Sequence, residues 1–349
     1  MPHDGAFCVS SMNKYYLWVI GCQQNEHDGK CLDFALTKIG FERVDITNAD
    51  LVIILACSVR QTAIDRILGK VKDWKKKKII VSGCVLESDR KKFEKRGLLV
   101  CPDNNVEKFV KLVGINELDK FKNYLQKAKE TSAFVPIIYG CNNFCSYCAV
   151  PYTRGRERSR SFNDVVYDVK NLIATGHSEI MLLGQNVNSY KYDFAKLMQT
   201  LNDLDGNFII SFISNHPKDM SDDIIAAVAT LPKIKKEIHL PLQSGSDKIL
   251  KAMNRPYSVK QYLNIINKIH KANPKIKITT DVIVGFPGET EADFQKTVEV
   301  FKRVKYSLAY INKYSPRVGT VAYELGDPIS WAEKQRRWHV LDKVVNAKA

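Results

Sequence analysis

Three cysteines lie within eight residues in the stretch YGCNNFCSYC, in the pattern C-x3-C-x2-C. They are Cys141, Cys145 and Cys148, here called the motif triad. A structural zinc site normally takes four protein ligands, and no further Cys or His lies within twenty residues of Cys148. A [4Fe–4S] cluster is normally held by four thiolates, so three thiolates leave one iron open to another ligand. The spacing therefore favours an iron–sulfur cluster over zinc and predicts that this triad carries the catalytic centre.

A second set of cysteines follows three separate apolar runs, YYLWVIGC, LVIILAC and KIIVSGC. These are Cys22, Cys57 and Cys84, here called the amino-terminal triad. Apolar runs that alternate with amphipathic stretches are typical of βα units and a parallel sheet. The carboxyl ends of parallel strands share one edge, where ligand sites form, so we predict that the three cysteines converge there. The alternative is that each is an ordinary buried cysteine, which is how we interpret the cysteines outside the two triads.

The elements that position these triads predict an α/β protein with two domains. Residues 14–128 are predicted to form a parallel-sheet α/β domain that ends in a lysine-rich helical connector. Residues 129–349 are predicted to form a partial (β/α)6 barrel, because helical segments separate six apolar runs. The motif triad follows the first of these runs, and active sites of such barrels lie at the carboxyl ends of the strands. The six runs are FVPIIYG, EIMLLG, FIISFIS, EIHLP, ITTDVIVGFPG and LAYINKYS.

The charge balance and the apolar pattern limit the partners. The chain of 349 residues has 53 Lys and Arg against 38 Asp and Glu, a net charge of +15, which suggests a polyanion such as nucleic acid or, alternatively, serves solubility alone. No apolar run reaches membrane length and no signal pattern opens the chain. We therefore expect a cytoplasmic protein whose clustered cysteines bind metal or do chemistry and do not form disulfides.

The C-x3-C-x2-C motif after the first strand of such a barrel resembles the radical S-adenosylmethionine (SAM) enzymes. The resemblance implies that the open iron binds the amino and carboxylate groups of SAM. It also implies that an electron from the cluster cleaves the sulfonium and gives a 5′-deoxyadenosyl radical. Tyr147, just before the third cysteine, matches the aromatic position of that family near the adenine.

A wider resemblance covers nearly the whole chain and points to the methylthiotransferases. It implies that the amino-terminal triad binds a second [4Fe–4S] cluster, and it makes tRNA the expected partner, with flavodoxin or ferredoxin as electron donor and a monomeric state. Methylthiotransferases usually end in a small RNA-binding β-barrel, but no strand pattern follows Trp331, so either the sequence is truncated or the natural protein lacks that domain, and the unaided affinity for RNA stays open. The resemblance rests on GCQQNEHD, ACSVR, SGCVLES, GCNNFCSYCAVPYTRGRERSR, LLGQNVNSY, SNHP, HLPLQSGSDKILKAMNR, DVIVGFPGETEADF and YSPRVGT.

The substrate within that family stays open among three candidates. The run PYTRGRERSR is most similar to the tRNA enzymes that act on isopentenyl-adenosine beside the anticodon. Threonylcarbamoyl-adenosine in tRNA and an aspartate of a ribosomal protein are the alternatives with the same chemistry. An alternative of another class is a metal-binding RNA-binding module without catalysis, although two cysteine triads argue against it.

Several polar and glycine residues at predicted strand ends are candidate SAM contacts. Glycine at such a position lets backbone approach a ligand closely, and a plain strand-ending turn is the alternative. Arg255 can pair with a carboxylate. The candidate cofactor-binding residues besides Tyr147 are Gly184, Gln185, Asn186, Gln243, Ser244 and Arg255.

Arginines alternate in TRGRERSR directly after the motif triad. Basic residues beside a reactive site suit an RNA phosphate backbone, whereas a solvated loop paired with acidic residues is the alternative. We predict RNA contacts for Arg154, Arg156 and Arg158.

Overall fold

The computed structural model describes residues 13–101, Phe109 and 131–346. The described residues form two compact units. The first contains 13–101, Phe109 and the short segment Tyr152–Arg154, and the second contains 131–151 and 155–346. The segment Tyr152–Arg154 therefore groups with the amino-terminal unit although it follows the motif triad in sequence.

The first unit is built on a five-stranded sheet whose ladders are all parallel. Its described elements are β1 (Lys14–Val19), α1 (Gln23–Lys38), β2 (Glu42–Arg43), β3 (Leu51–Cys57), α2 (Gln61–Lys70) with a 3₁₀ turn at Val71–Trp74, β4 (Lys78–Cys84), α3 (Glu87–Glu94) and β5 (Leu99–Val100). The strand order is β2-β1-β3-β4-β5.

The central strand β3 explains why this sheet carries helices on both faces. All seven of its residues are buried, and successive side chains of a strand point to opposite faces. Ile53 packs in one cluster with Leu36 of α1. Ile54, its neighbour, packs in another cluster with Ile64 and Ile67 of α2. A continuous apolar run is what a strand buried on both faces requires.

The second unit contains six parallel strands in two three-stranded sheets. Its strands are β6 (Ser132–Pro136), β9 (Glu179–Leu183), β10 (Ile209–Phe212), β11 (Glu237–His239), β12 (Lys277–Val284) and β13 (Leu308–Lys313). The sheets run β10-β9-β6 and β11-β12-β13, and a single parallel bridge joins Ile210 of β10 to Ile234, just before β11. This arrangement confirms the predicted α/β class and the six-stranded partial barrel.

Helices follow the barrel strands, and an antiparallel hairpin forms near the first of them. The hairpin pairs β7 (Ile138–Tyr139) with β8 (Arg158–Ser159). The short helix α4 (Val150–Thr153) begins in this unit and ends in the segment grouped with the first. The other described helices of this unit are α5 (Phe162–Ala174), α6 (Phe194–Asn202), α7 (Asp222–Thr230), α8 (Asp247–Ala252), α9 (Val259–Ala272), α10 (Glu291–Val304) and α11 (Trp331–Asn346).

One structural detail differs from the sequence expectations, and one predicted segment falls outside the described residues. The first strand ends at Val19, three residues before Cys22, so this cysteine stands at the start of α1 and not at a strand end. The lysine-rich connector lies almost entirely outside the described residues. Among the described residues, no helix combines the length and apolar character needed to cross a membrane.

Candidate metal centres and cofactor site

The amino-terminal triad converges at the carboxyl edge of the first sheet. Cys57 and Cys84 are direct neighbours in the parallel ladder of β3 and β4, and Cys22 immediately precedes α1. The pKa of the Cys84 thiol is raised to about 12, first by burial and also by charge on the nearby Cys57 and Cys22 sulfurs, while Arg154 lowers it. The three thiols therefore lie close enough to influence one another electrostatically.

Glycines precede two of these cysteines because the backbone there is crowded. Gly83 has φ +101°, and a Cβ on it would lie 2.3 Å from the carbonyl oxygen of Ala56. Gly21 has φ +140°, and a Cβ on it would lie 3.1 Å from the Cβ of Cys57. A side chain at either position would therefore force the cysteine-bearing segments apart.

The motif triad converges in the second unit, in the segment between β7 and α4. The pKa of the Cys148 thiol is raised to about 12, first by burial and then by the charges of Cys145 and Cys141. The amide of Cys148 donates to the carbonyl of Cys145 at 2.9 Å, which closes a tight turn. Gly140 allows the loop to start, because a Cβ there would lie 2.2 Å from the carbonyl oxygen of Arg156.

Neither triad is arranged as a site for one metal ion. Among the described residues, no group of three His, Cys, Asp or Glu side chains is close enough to hold a single ion. In a four-iron cluster each cysteine binds a different iron, so the ligands stand farther apart than around one zinc ion. The donor sets fit such clusters: thiols only, three in each unit.

Arg255 and Tyr147 lie beside the motif triad. Arg255 is only 7 % exposed, and its Nη1 lies 3.4 Å from Sγ of Cys145. Its Nε donates to the Tyr257 hydroxyl at 3.1 Å. Burial raises the pKa of Tyr147, which packs against the cluster of buried residues that includes Met253. The structure thus brings two predicted cofactor residues to the motif triad.

Buried polar atoms without partners line the loops that follow the barrel strands. Native proteins pair nearly all such atoms. A group of unpaired polar atoms at the carboxyl ends of the barrel strands would therefore gain hydrogen bonds from a bound polar ligand. Three belong to predicted residues and two to residues that the sequence interpretation passed over. Among the described residues, the unpartnered atoms at this rim are Oε1 of Gln185, Oδ1 of Asn186, Oε1 of Gln243, Oδ1 of Asn215 and Nε2 of His216.

Asn215 and His216 were not among the predicted cofactor residues, and a histidine at a strand end is more often structural. Their position directly after the third barrel strand, in SNHP, was the available signal. The pKa of His216 is lowered to about 2, first by burial and then by the charges of Arg255 and Lys218, so the imidazole is neutral. Its Nδ1 accepts from the amide of Lys218 at 3.2 Å, which leaves Nε2 as the N–H donor.

The remaining two predicted cofactor residues make contacts within the protein. A Cβ on Gly184 would lie 3.1 Å from Val187 and 3.2 Å from Ile138, so this glycine permits close packing of the chain. Ser244 is fully buried, and its hydroxyl accepts from the amide of Ser246 at 3.2 Å. Only their backbone groups are candidates for ligand contact.

The three predicted RNA-binding arginines have different surroundings. Arg156 and Arg158 are exposed, and the guanidinium of Arg156 lies 4.5 Å from the centre of the Phe144 ring. Arg154 belongs to the first unit, where its side chain is 9 % exposed and its Nε lies 2.7 Å from Sγ of Cys84. Because this side chain is largely buried and contacts Cys84, its position does not support the predicted contact between Arg154 and an RNA phosphate.

Comparisons with known proteins agree with this geometry. Residues 135–301 match the model of the radical SAM superfamily, and residues 14–100 match one described as the uncharacterized protein family UPF0004. A tRNA-2-methylthio-N(6)-dimethylallyladenosine synthase from Thermoanaerobacter pseudethanolicus is 42 % identical over 95 % of this chain and 78 % of its own. One from Clostridium tetani is 39 % identical over 95 % of this chain and 81 % of its own.

Solved structures show the same fold at low identity. The radical SAM methyltransferase TsrM from Kitasatospora setae has a TM-score of 0.66 at 12 % identity, covering 89 % of this chain and 77 % of its own. The cobalamin-dependent radical SAM enzyme OxsB has a TM-score of 0.56 at 11 % identity, covering 97 % of this chain and 56 % of its own.

Fold, motif triad and matched model together define a radical SAM enzyme. The chain belongs to the radical SAM methylthiotransferase family that contains these synthases. Its cofactors are therefore SAM and [4Fe–4S] clusters.

Proposed function

We propose that this enzyme replaces the hydrogen at C2 of the adenine in N(6)-isopentenyl-adenosine, beside the anticodon of tRNA, by a methylthio group. The observation that carries the proposal is the presence of two separate cysteine triads, one in each unit. The identity of about 40 % to synthases named for this product, over most of the chain, supports the substrate. Threonylcarbamoyl-adenosine in tRNA and a ribosomal-protein aspartate remain the alternatives.

Each triad is proposed to hold one [4Fe–4S] cluster. The C2–H bond is unactivated, so no side-chain acid or base at neutral pH removes its proton. When bound, SAM and the cluster of the motif triad would supply a radical that can abstract this hydrogen as an atom, while the protein positions the reactants. The amino-terminal triad is proposed to hold the cluster that delivers sulfur.

The rim residues are proposed to bind and orient SAM. Arg255 provides a buried positive charge suited to a carboxylate. The neutral His216 offers an N–H donor, and Asn215 offers an unpartnered acceptor oxygen. Gln185, Asn186 and Gln243 offer further acceptors on neighbouring strand ends, as predicted, while Tyr147 provides an aromatic surface. Gly184 and Ser244 are retained only as backbone contacts.

Arg156 and Arg158 are proposed to contact tRNA. An enzyme acting on a base takes it out of its stack, and the anticodon loop presents the base with little duplex to open. The carbonyl of Gly155 accepts from the amide of Cys141 at 3.2 Å, so this arginine loop begins against the motif triad. Exposed cations at that place suit the phosphates that flank the target base.

Replacement of Arg156 and Arg158 by glutamine is expected to weaken tRNA binding and reduce its dependence on salt. With two phosphate contacts fewer, tRNA binding releases fewer counterions. The magnitude of the slope of log K against log salt concentration should therefore fall by roughly 1 to 2 units. Binding titrations at several salt concentrations measure it. The matched control replaces Lys170 and Lys271, exposed lysines on α5 and α9, by glutamine. An equal change in both double variants would mean that only net charge matters.

Cells that lack the gene are expected to lose the 2-methylthio derivative of isopentenyl-adenosine and to accumulate the unmodified nucleoside. Mass spectrometry of tRNA nucleosides measures both. The wild-type gene and the Cys31→Ala variant should restore the product, because Cys31 belongs to neither triad, and the Cys148→Ala variant should not. Restoration of methylthiolated threonylcarbamoyl-adenosine, or of a modified ribosomal protein, would instead establish one of the alternatives.

Three further expectations belong to the same proposal. We propose flavodoxin or ferredoxin as the electron donor, because the cluster of the motif triad needs a low-potential one-electron reductant. A cytoplasmic location follows from tRNA as the substrate. A monomeric state is the expectation carried over from the family.

A further inference from the structure

The buried Arg154 is placed on the amino-terminal triad and not on the protein surface. Its Nε lies 2.7 Å from Sγ of Cys84, and its Nη2 lies 2.8 Å from Oδ1 of Asn25 and 3.1 Å from Oδ2 of Asp28. A buried guanidinium is costly unless its donors are used and its charge is compensated. A neutral thiol is a weak acceptor, so a donor aimed at this sulfur suits a sulfur that carries negative charge.

The partners of Arg154 are also held in place by other hydrogen bonds. The amide nitrogen of Asn25 donates to the carbonyls of Ile20 and Ala56 at 2.8 and 2.9 Å, which turns its oxygen toward Arg154. Asp28 accepts from Gln24 through Oδ1 at 3.0 Å, which leaves Oδ2 for the guanidinium. Asn25 and Asp28 are three residues apart on α1 and therefore share one helix face.

We propose that Arg154 is a positioning residue of the amino-terminal centre: its guanidinium donates to the Cys84 sulfur and stabilises the reduced, more negative state of the iron–sulfur cluster held there. Hydrogen bonds to the sulfurs and the net charge around a cluster set its reduction potential. The guanidinium supplies a hydrogen bond and a positive charge. It does so at a place where water is excluded and charges therefore interact strongly. The proposal rests on the cluster ligands proposed above for Cys22, Cys57 and Cys84.

The decisive variant is Arg154→Gln in the reconstituted enzyme, followed by redox titration with electron paramagnetic resonance. Wild-type protein should show two cluster transitions and about eight irons per chain, which tests the ligand assignment separately. In the variant, only one transition should move to lower potential. The equilibrium constant for its reduction should fall about tenfold or more, which is about 59 mV for a one-electron couple.

The matched control is Arg96→Gln, which removes the same charge from the same unit. Arg96 lines a groove with Lys78, the residue that begins β4, whereas Cys84 ends that strand. Because seven strand residues span about 20 Å, the two ends of β4 are far apart. The Arg96→Gln change should therefore leave both reduction potentials unchanged.

A second variant keeps the proposal testable if Arg154→Gln fails to retain the cluster. Arg154→Lys preserves the charge but loses the planar fork that reaches three partners, so we expect eight irons and a smaller downward shift of the same transition. Wild-type reduction potentials in the glutamine variant would overturn the proposal. If only the lysine variant assembles its clusters, wild-type potentials in that variant would overturn it. So would equal shifts of both transitions, or iron loss in both variants with a lowered unfolding temperature of the apoprotein, since these indicate a purely structural role.

Discussion

Replacement of Cys141, Cys145 and Cys148 by alanine is expected to abolish reductive cleavage of SAM and to remove about half of the iron. Without the three thiolates no cluster remains to present an open iron, so 5′-deoxyadenosine should fall below detection. The other cluster should persist, because its proposed ligands lie in a different unit. Iron analysis and chromatography of the SAM products measure both quantities.

The control for this variant is Cys31→Ala, a cysteine of α1 outside both triads. It should keep all of the iron and the full cleavage rate. Continued formation of 5′-deoxyadenosine by the triple variant would refute the assignment of the radical centre. Loss of nearly all iron would show that the two clusters do not assemble independently.

Replacement of Cys22, Cys57 and Cys84 by alanine is expected to separate sulfur transfer from radical formation. The variant should still cleave SAM to 5′-deoxyadenosine and should make no methylthiolated tRNA. The physical reason is that, if each triad holds a cluster as proposed, the open coordination position on each would accept a different ligand, SAM at one and sulfur at the other. Product analysis by mass spectrometry, with iron analysis expected to show about half of the wild-type iron, measures the outcome.

This second experiment requires proof that the variant is folded, because a bound cluster also stabilises the protein around it. Cys57 and Cys84 are both buried at the end of the central ladder, so circular dichroism and thermal unfolding come first. A folded triple variant that still makes methylthiolated tRNA would exclude the amino-terminal triad from sulfur delivery.

Much of the architecture follows from local sequence pattern. The apolar run LVIILAC has the composition of a strand buried on both faces, and the structure places it at the centre of the first sheet. The six apolar runs after residue 131 likewise became the six barrel strands. Parallel strands align their carboxyl ends by geometry alone, which is why residues far apart in sequence, such as Cys57 and Cys84, were expected to meet.

The partners of individual side chains were decided only by the tertiary structure. Arg154 stands in an alternating arginine run that looks like an RNA-binding loop, yet it contacts Asn25 and Asp28, 129 and 126 residues earlier. Local pattern reports which residues are apolar and how they repeat, because strand and helix periodicity are short-range properties. It does not report which buried charge meets which sulfur, since that depends on the packing of distant segments. The unpartnered Oδ1 of Asn215 and Nε2 of His216 became visible for the same reason, because burial and the absence of a partner for an atom among the described residues are properties of the folded chain.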